Sequence, residues 1–285
     1  MNILIIGASG FIGKHLCQHF GKLHNVYGLS RGNKTIDGCK TVISCDLLNN
    51  AEENFDELQN SINCKIAIIL NLASLLVGTD NSKNQEILFD NLRITLSIVE
   101  LTKLLDVQKI INFSTMAVYP NLDGKYSETS IIWTASNTEC IYGLSKFCAE
   151  NLLSFYLSDR NIVHLRLAQV YGDGMRDDRI MPMMLKELMV KNQITVYGNG
   201  KRISNFIHIQ KLLKIIDFFV NHNKVGIFNV GDESLSYESV AKRTIEQYGD
   251  KDSKIIYLNK GSKSKFVLDT EKLNNLLKEI KDYEL

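Results

Sequence analysis

The sequence predicts an α/β fold: a doubly wound parallel sheet followed by a smaller mixed α/β lobe. In the first half of the chain, short apolar runs alternate with longer stretches that suit helices. Continuous apolar strands of this kind are typical of a parallel sheet whose two faces are both covered by helices. From about residue 170 the alternation gives way to segments rich in Gly, Asn and charge. No repeat or flexible linker divides the chain, so we expect the two parts to pack together.

The individual elements follow from the apolar runs in order. Strands are predicted at 2–6, 25–29, 41–45, 66–70 and 109–114, and helices at 12–22 and 84–105. A helix from 141 to about 157 and a strand at 163–168 follow them. In the second lobe, strands are predicted at 194–197 and 226–230, and helices at 181–191, 211–221, 236–247 and 270–281. The alternation of strand and helix in the first half is the order of a doubly wound sheet.

Composition favours an ordinary globular protein in a reducing, cytoplasmic setting. The chain carries 33 basic and 32 acidic side chains, so its net charge of +1 favours neither nucleic acid nor an anionic membrane as a partner. The 6 cysteines are scattered without a C-x-x-C pair, which fits neither a metal site nor a disulfide framework. No apolar run approaches the ~20 residues of a membrane span, and none suits a signal peptide. We therefore expect a small-molecule partner and no metal.

A glycine-rich turn follows the first strand and precedes an amphipathic helix. Glycine allows a tight turn and a close approach of the backbone to a pyrophosphate, and the helix N-terminus offers free N–H groups. The pattern predicts a dinucleotide site, with a plain strand-to-helix turn as the alternative. The residues expected to contact the cofactor in this turn are Gly7, Ser9, Gly10, Phe11, Ile12 and Gly13.

A tyrosine and a lysine are spaced for proton transfer. Tyr142 and Lys146 lie four positions apart, and hence on one face of a predicted helix. The unperturbed pKa of tyrosine is ~10, and an adjacent cation favours its phenolate. Tyr142 is therefore a candidate acid or base, although pairs with this spacing also occur by chance.

These segments resemble the extended short-chain dehydrogenases/reductases, the superfamily of sugar-nucleotide epimerases, dehydratases and reductases. The Gly-x-x-Gly-x-x-Gly turn carries the resemblance, and residues 113–119, followed by Tyr142 and Lys146, extend it. The resemblance implies a Rossmann-type dinucleotide-binding domain over 1–165. It also implies a mainly substrate-binding lobe over 166–285, of which some segments return to the first domain. A homodimer formed through two long helices is a further implication.

The resemblance also implies roles for individual residues. Thr115 would bind the substrate oxygen, Tyr142 would transfer its proton, and Lys146 would orient the cofactor ribose and polarise Tyr142. Ser114 replaces Thr115 if the register is shifted by one residue, and a simple strand cap is the other interpretation. Further cofactor contacts are implied at Asp46, Leu47, Leu72, Ala73, Ser74 and Asn91.

The end of the second strand bears on the choice of nicotinamide. An acidic residue at this position binds the ribose hydroxyl of NAD, whereas arginine accommodates the additional phosphate of NADP. Ser30 and Arg31 stand here, and a guanidinium forms charge-assisted hydrogen bonds to phosphate. The sequence therefore predicts NADP over NAD, with a solvated loop cation as the alternative interpretation of Arg31.

Departures from the family pattern concern the substrate. Met116 and Ala117 stand where dehydratases of the family carry an acidic pair, which argues against 4,6-dehydration. Gln169 replaces the usual Asn, and Ser204 replaces the usual phosphate-binding Arg. Residues expected to contact the substrate are Leu75, Met116, Gln169, Arg176, Val196, Arg202 and Ser204, with Arg179, Lys263 and Lys265 as further candidates for the phosphates. A buried, backbone-bonded imidazole is favoured for His208 over a catalytic role.

The leading hypothesis is an NADPH-dependent reductase of a nucleotide-linked 4-keto sugar, most simply a 4-keto-6-deoxyhexose. An NAD-dependent nucleotide-sugar 4-epimerase is the main alternative, since the same catalytic residues serve both reactions. A non-catalytic dinucleotide sensor and a reductase of a small carbonyl compound are further alternatives.

Overall fold

The computed structural model describes residues 1–32, 35–48, 55, 58–77 and 83–279. Its strands are β1 Asn2–Ile6, β2 Asn25–Ser30, β3 Thr41–Ser44, β4 Ile68–Asn71, β5 Lys109–Thr115, β6 Gly124–Tyr126, β7 Asn161–Leu167, β8 Gln169–Tyr171, β9 Gln193–Tyr197, β10 Ile203–His208, β11 Gly226–Val230, β12 Glu233–Ser236, β13 Lys254–Leu258 and β14 Phe266–Leu268. Its helices are α1 Phe11–Phe20, α2 Glu86–Leu104, α3 Cys140–Tyr156, α4 Ile180–Lys191, α5 Ile209–Asn221, α6 Tyr237–Tyr248 and α7 Glu271–Lys278.

A seven-stranded parallel sheet, in the order β11-β7-β5-β4-β1-β2-β3, forms the centre of the molecule. The chain runs outward from β1 in both directions, so the topological switch point lies between β1 and β4. In open sheets of this class, ligands bind at the carboxyl ends of the strands beside the switch point. The fold class predicted from the sequence is confirmed, and the topology indicates where a ligand should bind.

The central strands are apolar on both faces because both faces are covered. In β1, Ile3 and Ile5 pack in a cluster that includes α1 and α5, whereas Leu4 and Ile6 pack in a second cluster that includes α2. All four side chains are at most 1% exposed. Successive side chains of a strand point to opposite faces, so a strand buried on both faces has an uninterrupted apolar sequence.

The second lobe contains three small sheets, ordered β12-β10-β8, β13-β9 and β14-β6. Helices α4 and α6 pack against β9 around an apolar cluster that includes Met184, Val196 and Phe206. Strand β11 lies in the chain between elements of this lobe, after β10 and before β12, yet it pairs with β7 in the central sheet. The lobe is therefore tied to the central sheet by β11 as well as by the chain that leaves β7.

Element boundaries differ modestly from those predicted. The helices predicted at 84–105 and 270–281 occupy Glu86–Leu104 and Glu271–Lys278, and residues 280 and 281 lie outside the described part. The prediction omitted β6, β8, β10, β12, β13 and β14. Strands such as β6 and β12 are short, are not fully buried, and pair with distant segments, so no local apolar alternation marks them. No helix in the described ranges has the length and apolarity that a membrane crossing requires.

Candidate active site

A cavity of about 710 Å³ opens at the carboxyl ends of β1, β2, β4 and β5, beside the switch point of the central sheet. The second lobe closes its other side with residues of β8, β10 and α4. The site therefore lies between the central sheet, where a dinucleotide is expected to bind, and the second lobe, where the substrate is expected to bind. The predicted site residues that line it are Gly7, Ser9, Gly10, Phe11, Ile12, Gly13, Ser30, Arg31, Asp46, Leu47, Leu72, Ala73, Ser74, Leu75, Thr115, Met116, Tyr142, Lys146, Gln169, Arg176, Arg202 and Ser204.

The glycine turn between β1 and α1 has the geometry that a diphosphate requires. Gly7 adopts a φ of +85°, a left-handed conformation that favours glycine. A Cβ at Gly13 would lie 2.8 Å from the carbonyl oxygen of Ala8, so the helix start can approach the turn only without a side chain there. No side chain caps α1 at Gly10. The N–H groups of its first turn are therefore free for a phosphate, and the residues present fit a dinucleotide.

The ends of β2 and β3 form the part of the cavity predicted to hold the adenosine. Ser30 is buried, and its hydroxyl donates a hydrogen bond of 2.9 Å to the Gly32 carbonyl. Arg31 is exposed beside it. Asp46 lies across from them and accepts a 3.1 Å hydrogen bond from the N–H of Leu48. This part of the wall thus carries the exposed guanidinium of Arg31, which is available to a phosphate, and the carboxylate of Asp46, which is held by the backbone.

Asn91 does not line the cavity, although it was predicted to contact the cofactor. Its Oδ1 accepts from the N–H of Leu75 at 2.7 Å, and its Nδ2 donates to the Leu75 carbonyl at 3.1 Å and to Ser145 Oγ at 3.0 Å. These bonds join α2, the loop after β4 and α3. The side chain is therefore a support for Leu75, which does line the cavity.

The three predicted catalytic residues all line this cavity. Thr115 ends β5 and is partly buried, while Tyr142 and Lys146 lie one turn apart on α3. The hydroxyl of Ser114 donates a 2.5 Å hydrogen bond to Glu150, so it is already committed to another partner. This arrangement favours Thr115 over the alternative Ser114 as the group that binds a substrate oxygen.

Burial sets the electrostatics of Tyr142 and Lys146. Burial and, to a smaller extent, the nearby Glu139 carboxylate raise the pKa of Tyr142 to about 12, against smaller opposing effects of the Ser74 hydroxyl and the Arg179 guanidinium. Burial also lowers the pKa of Lys146 to about 8, although Glu150 opposes this change. The lowered pKa of Tyr142 expected from the adjacent Lys146 is therefore not found: the pKa is raised, and desolvation of the phenol is the largest cause.

A buried charge network stands behind the catalytic helix, and the sequence analysis missed it. Arg166 donates to Glu150 through Nε at 3.0 Å and through Nη2 at 2.7 Å, and it also bonds the Tyr119 hydroxyl at 2.8 Å. Arg166 is 2% exposed and Glu150 is 3% exposed. Because Glu150 lies one turn beyond Lys146, four-residue spacing continued along α3 was the signal that could have identified it.

On the substrate side of the cavity, neither Gln169 nor Ser204, the two residues that depart from the family pattern, is free to bind a phosphate. Gln169 donates a 2.8 Å hydrogen bond to Ser204 Oγ, so the two substituted residues satisfy each other. Arg176 pairs with Asp178. Arg202 stacks over the ring of Tyr237, with 5.3 Å between the guanidinium carbon and the ring centroid. Within the described structure, its buried Nε has no hydrogen-bond partner.

Several other predicted residues lie away from the cavity. Val196 is 1% exposed inside the apolar cluster of the second lobe, so its side chain cannot contact a substrate. Lys263 bonds Asn259 at 2.6 Å on the surface, and neither it nor Lys265 lines the cavity. His208 caps α5 by accepting from the N–H of Gln210 at 3.3 Å. For Val196, Lys263 and Lys265 the tertiary contacts removed candidates that the motif alone had suggested, whereas His208 is bonded to the backbone as favoured, although it is only half-buried.

Comparisons with known proteins agree with this geometry. Residues 3–231 match the model of the NAD dependent epimerase/dehydratase family. A dTDP-D-glucose 4,6-dehydratase of Dictyostelium discoideum is 29% identical over 270 residues, which are 85% of this chain and 61% of that protein, so the chain spans less than two thirds of that relative. An uncharacterized UDP-glucose epimerase, YtcB, of Bacillus subtilis is 27% identical over 235 residues, 75% of this chain and 71% of that protein.

A solved structure extends the match to nearly the whole chain. The UDP-glucuronic acid 4-epimerase from Bacillus cereus in complex with NAD superimposes with a TM-score of 0.79 at 25% identity, covering 98% of this chain and 92% of that one. The protein belongs to the NAD dependent epimerase/dehydratase family. It is an enzyme of the extended short-chain dehydrogenase/reductase class, as its motifs predicted.

Proposed function

We propose that the protein reduces a nucleotide-linked 4-keto sugar, most simply a 4-keto-6-deoxyhexose, with NADPH as the reductant. The observation that carries the proposal is that Thr115, Tyr142 and Lys146 line the same cavity as the glycine turn. With a pKa of about 12, Tyr142 holds its proton at neutral pH and is suited to donate it to an oxygen that gains negative charge. Reduction of a carbonyl group needs a proton donor at the oxygen, whereas oxidation of an alcohol needs a base there.

The residues of the chain divide the work of this reaction. Thr115 and Tyr142 hold the carbonyl oxygen of the sugar, and positioning of the partners supplies much of the catalysis. A bound nicotinamide supplies the hydride that adds to C4. As the C=O bond becomes a C–O single bond, the oxygen takes the proton of Tyr142, and the products are the alcohol and NADP⁺. The ammonium of Lys146 stabilises the phenolate left on Tyr142 until water reprotonates it.

The preference for NADPH is supported by Ser30 and Arg31. Both line the cavity where β2 ends, and the exposed guanidinium of Arg31 can pair with a phosphate on the ribose. Equal affinity of the protein for NADPH and NADH would remove this part of the proposal. Arg31→Ala should weaken NADPH binding by about tenfold and leave NADH binding nearly unchanged, as expected for the loss of one charge-assisted contact.

A nucleotide diphosphate on the sugar is supported by Arg202. Its side chain lines the substrate end of the cavity, and its buried Nε, unbonded among the described residues, is a donor that a phosphate oxygen could satisfy. Arg202 directly precedes β10, and both it and Ser204, where the family carries its arginine, line the cavity. We therefore assign Arg202 rather than Ser204 to the diphosphate.

A nucleotide-sugar 4-epimerase is the second candidate. The observation that favours it is that a solved structure that superimposes on 98% of this chain, at 25% identity, is that of a UDP-glucuronic acid 4-epimerase in complex with NAD. The same Thr115, Tyr142 and Lys146 could first oxidise and then reduce C4. Dehydration, a third reaction of this family, is disfavoured because Met116 and the buried Ala117 occupy the turn after β5, where an acidic pair would be needed.

Release of the bound nucleotide separates the two candidates. The purified protein is denatured, any released nicotinamide is identified by mass spectrometry, and fresh protein is given NADPH with a panel of nucleotide-linked keto sugars. Net NADPH consumption supports the reductase. Tightly held NAD, together with epimerised product and no net consumption of NADPH, would replace it by the epimerase.

A homodimer is also proposed, through the outer faces of α2 and α3. Phe89 and Leu96 on α2, seven residues apart, are 47% and 41% exposed, and Phe155 on α3 is 75% exposed. Large apolar side chains grouped on two adjacent helices favour burial against a second copy. Phe155→Glu should convert the dimer to a monomer in light-scattering measurements, and a wild-type monomer would contradict the proposal.

A further inference from the structure

The loop 172–179, between β8 and α4, forms part of the cavity wall beside the glycine turn. A Cβ at Gly174 would lie 4.0 Å from Cδ2 of Phe11, so the loop packs against the first residue of α1. Phe11 itself lines the cavity. The loop residues that line it are Met175, Arg176, Asp178 and Arg179. This loop of the second lobe therefore meets the segment where a cofactor diphosphate is expected.

His15 joins α1 to this loop. Its Nε2 lies 2.8 Å from the carbonyl oxygen of Asp173. Because a carbonyl oxygen can only accept a hydrogen bond, Nε2 carries the proton and donates it. The imidazole also packs perpendicular to the ring of Phe11, with 5.4 Å between the centroids. The side chain of His15 is half-buried and does not line the cavity, so it can act on a bound cofactor only through the loop.

Backbone hydrogen bonds make the loop a defined wall. The N–H of Met175 donates to the Gly172 carbonyl at 3.2 Å, and the N–H of Arg179 donates to the Arg176 carbonyl at 3.3 Å. Each bond closes a turn of the chain. A restraint at Asp173, inside the first turn, therefore also restrains the residues that follow it along the cavity wall.

We infer that His15 is a positioning residue that holds the loop 172–179 against the glycine turn and so slows the release of the dinucleotide. The inference rests on the cofactor of the proposed function, and not on its sugar. A dinucleotide whose diphosphate binds at the glycine turn is bounded by this loop, so it leaves faster when the loop opens. Opening the loop breaks the hydrogen bond of His15 and separates Gly174 from Phe11.

Two variants at residue 15 separate the hydrogen bond from the ring contact. His15→Phe keeps a ring against Phe11 and removes the donor, whereas His15→Gln keeps an amide N–H near the position of Nε2 and removes the ring. The dissociation rates of NADPH and NADH are measured by stopped-flow displacement. His15→Phe should release the nucleotide about fivefold faster, as expected for one lost hydrogen bond, and His15→Gln should stay within about twofold of the wild type. Gln18→Ala, an exposed position further along α1, is the control.

Trypsin gives a second measurement that needs no cofactor. Arg176 and Arg179 lie in the loop, and trypsin cleaves after arginine. Cleavage at these two residues, identified by mass spectrometry, should be about fivefold faster in cofactor-free His15→Phe than in the wild type, because the loop opens more often. Gln18→Ala should be cleaved at the wild-type rate.

The outcomes separate this inference from the function on which it rests. An unchanged rate of nucleotide release in His15→Phe would overturn the role of His15, even with faster cleavage, and would leave the proposed function intact. Release from His15→Gln as fast as from His15→Phe would also overturn it, since the hydrogen bond would then be unimportant. Faster release from His15→Phe alone, in a protein that reduces no keto sugar, would support the role of His15 and remove the reductase. Wild-type protein that binds neither NADPH nor NADH would remove both.

Discussion

Gly143 of α3 lies directly against the backbone of Ala117, in the turn that follows β5. A Cβ atom at residue 143 would come within 2.8 Å of the Ala117 carbonyl carbon. The helix can approach the turn this closely only because residue 143 has no side chain. The approach brings Tyr142, which precedes Gly143, into the same cavity as Thr115, which precedes the turn.

Gly143→Ala should therefore reduce turnover by about tenfold or more, because the new methyl group pushes α3 away and reacting groups displaced by about 1 Å lose much of their advantage. Helix propensity alone favours alanine over glycine by about 1 kcal/mol, so without the contact the substitution would stabilise the protein and leave turnover unchanged. The rate is measured with saturating substrates, and thermal unfolding is measured beside it. Asn151→Ala, an exposed position on the same helix, is the control. An unimpaired rate in Gly143→Ala would show that the contact is unimportant.

Tyr142→Phe should lower turnover by about 10²- to 10⁴-fold, because it removes the proton donor and keeps the ring. Binding of the nicotinamide cofactor should persist, since the glycine turn and the ends of β2 and β3 are untouched. Single-turnover measurements and a fluorescence titration with NADPH give the two quantities. Tyr126→Phe, whose hydroxyl lies outside the cavity, is the matched control. Full turnover in Tyr142→Phe would refute the catalytic assignment.

Activity should fall as pH rises through about 8, because the pKa of Lys146 lies there and the neutral amine cannot stabilise a phenolate. Stability should respond in the opposite sense. The unfolded chain keeps this lysine protonated up to its usual pKa of ~10.4. Between pH 8 and that value it binds more protons than the folded protein does, so the contribution of Lys146 to stability rises with pH.

Urea unfolding of the wild type and of Lys146→Met, measured without cofactor, tests the second part. The full displacement of the pKa corresponds to about 3 kcal/mol, of which the wild type should gain about 2 kcal/mol relative to the variant between about pH 7.5 and 9.5. Lys103→Met, on the exposed part of α2, should show no such difference. A wild-type curve parallel to that of Lys146→Met would mean that the lysine is not desolvated.

Glu150→Gln should destabilise the fold by about 3–5 kcal/mol, because it leaves the buried guanidinium of Arg166 without its counterion. It should also move the alkaline limit of activity to lower pH, since Glu150 is the charge that opposes the lowered pKa of Lys146. The double variant Glu150→Gln/Arg166→Met removes both charges and should recover part of the stability. Unfolding curves and pH–rate profiles of the single and double variants are compared. A single variant as stable as the wild type would contradict the role of the pair.

Prediction from sequence was strongest where local pattern and function coincide. The glycine turn, Thr115, Tyr142 and Lys146 are each marked by residue type and short spacing, and the structure brings all of them to one cavity. The prediction that Val196 contacts the substrate was wrong, because the motif does not show which strand face packs into the apolar cluster of the second lobe.

Long-range pairs carried no local signal. The Gln169–Ser204 hydrogen bond joins residues 35 positions apart, and the Glu150–Arg166 pair crosses from a helix to a strand.

The sequence by itself determined the doubly wound sheet and indicated the glycine turn and the proposed catalytic trio, because apolar periodicity and short motif spacing act within one or two adjacent elements. The tertiary structure decided what these groups can do. Burial raises the pKa of Tyr142 and lowers that of Lys146, Ser114 is bonded to Glu150, and Arg202 lines the cavity beside the expected substrate. Desolvation and charge pairing depend on which distant segments come together, and that is a property of the packed chain.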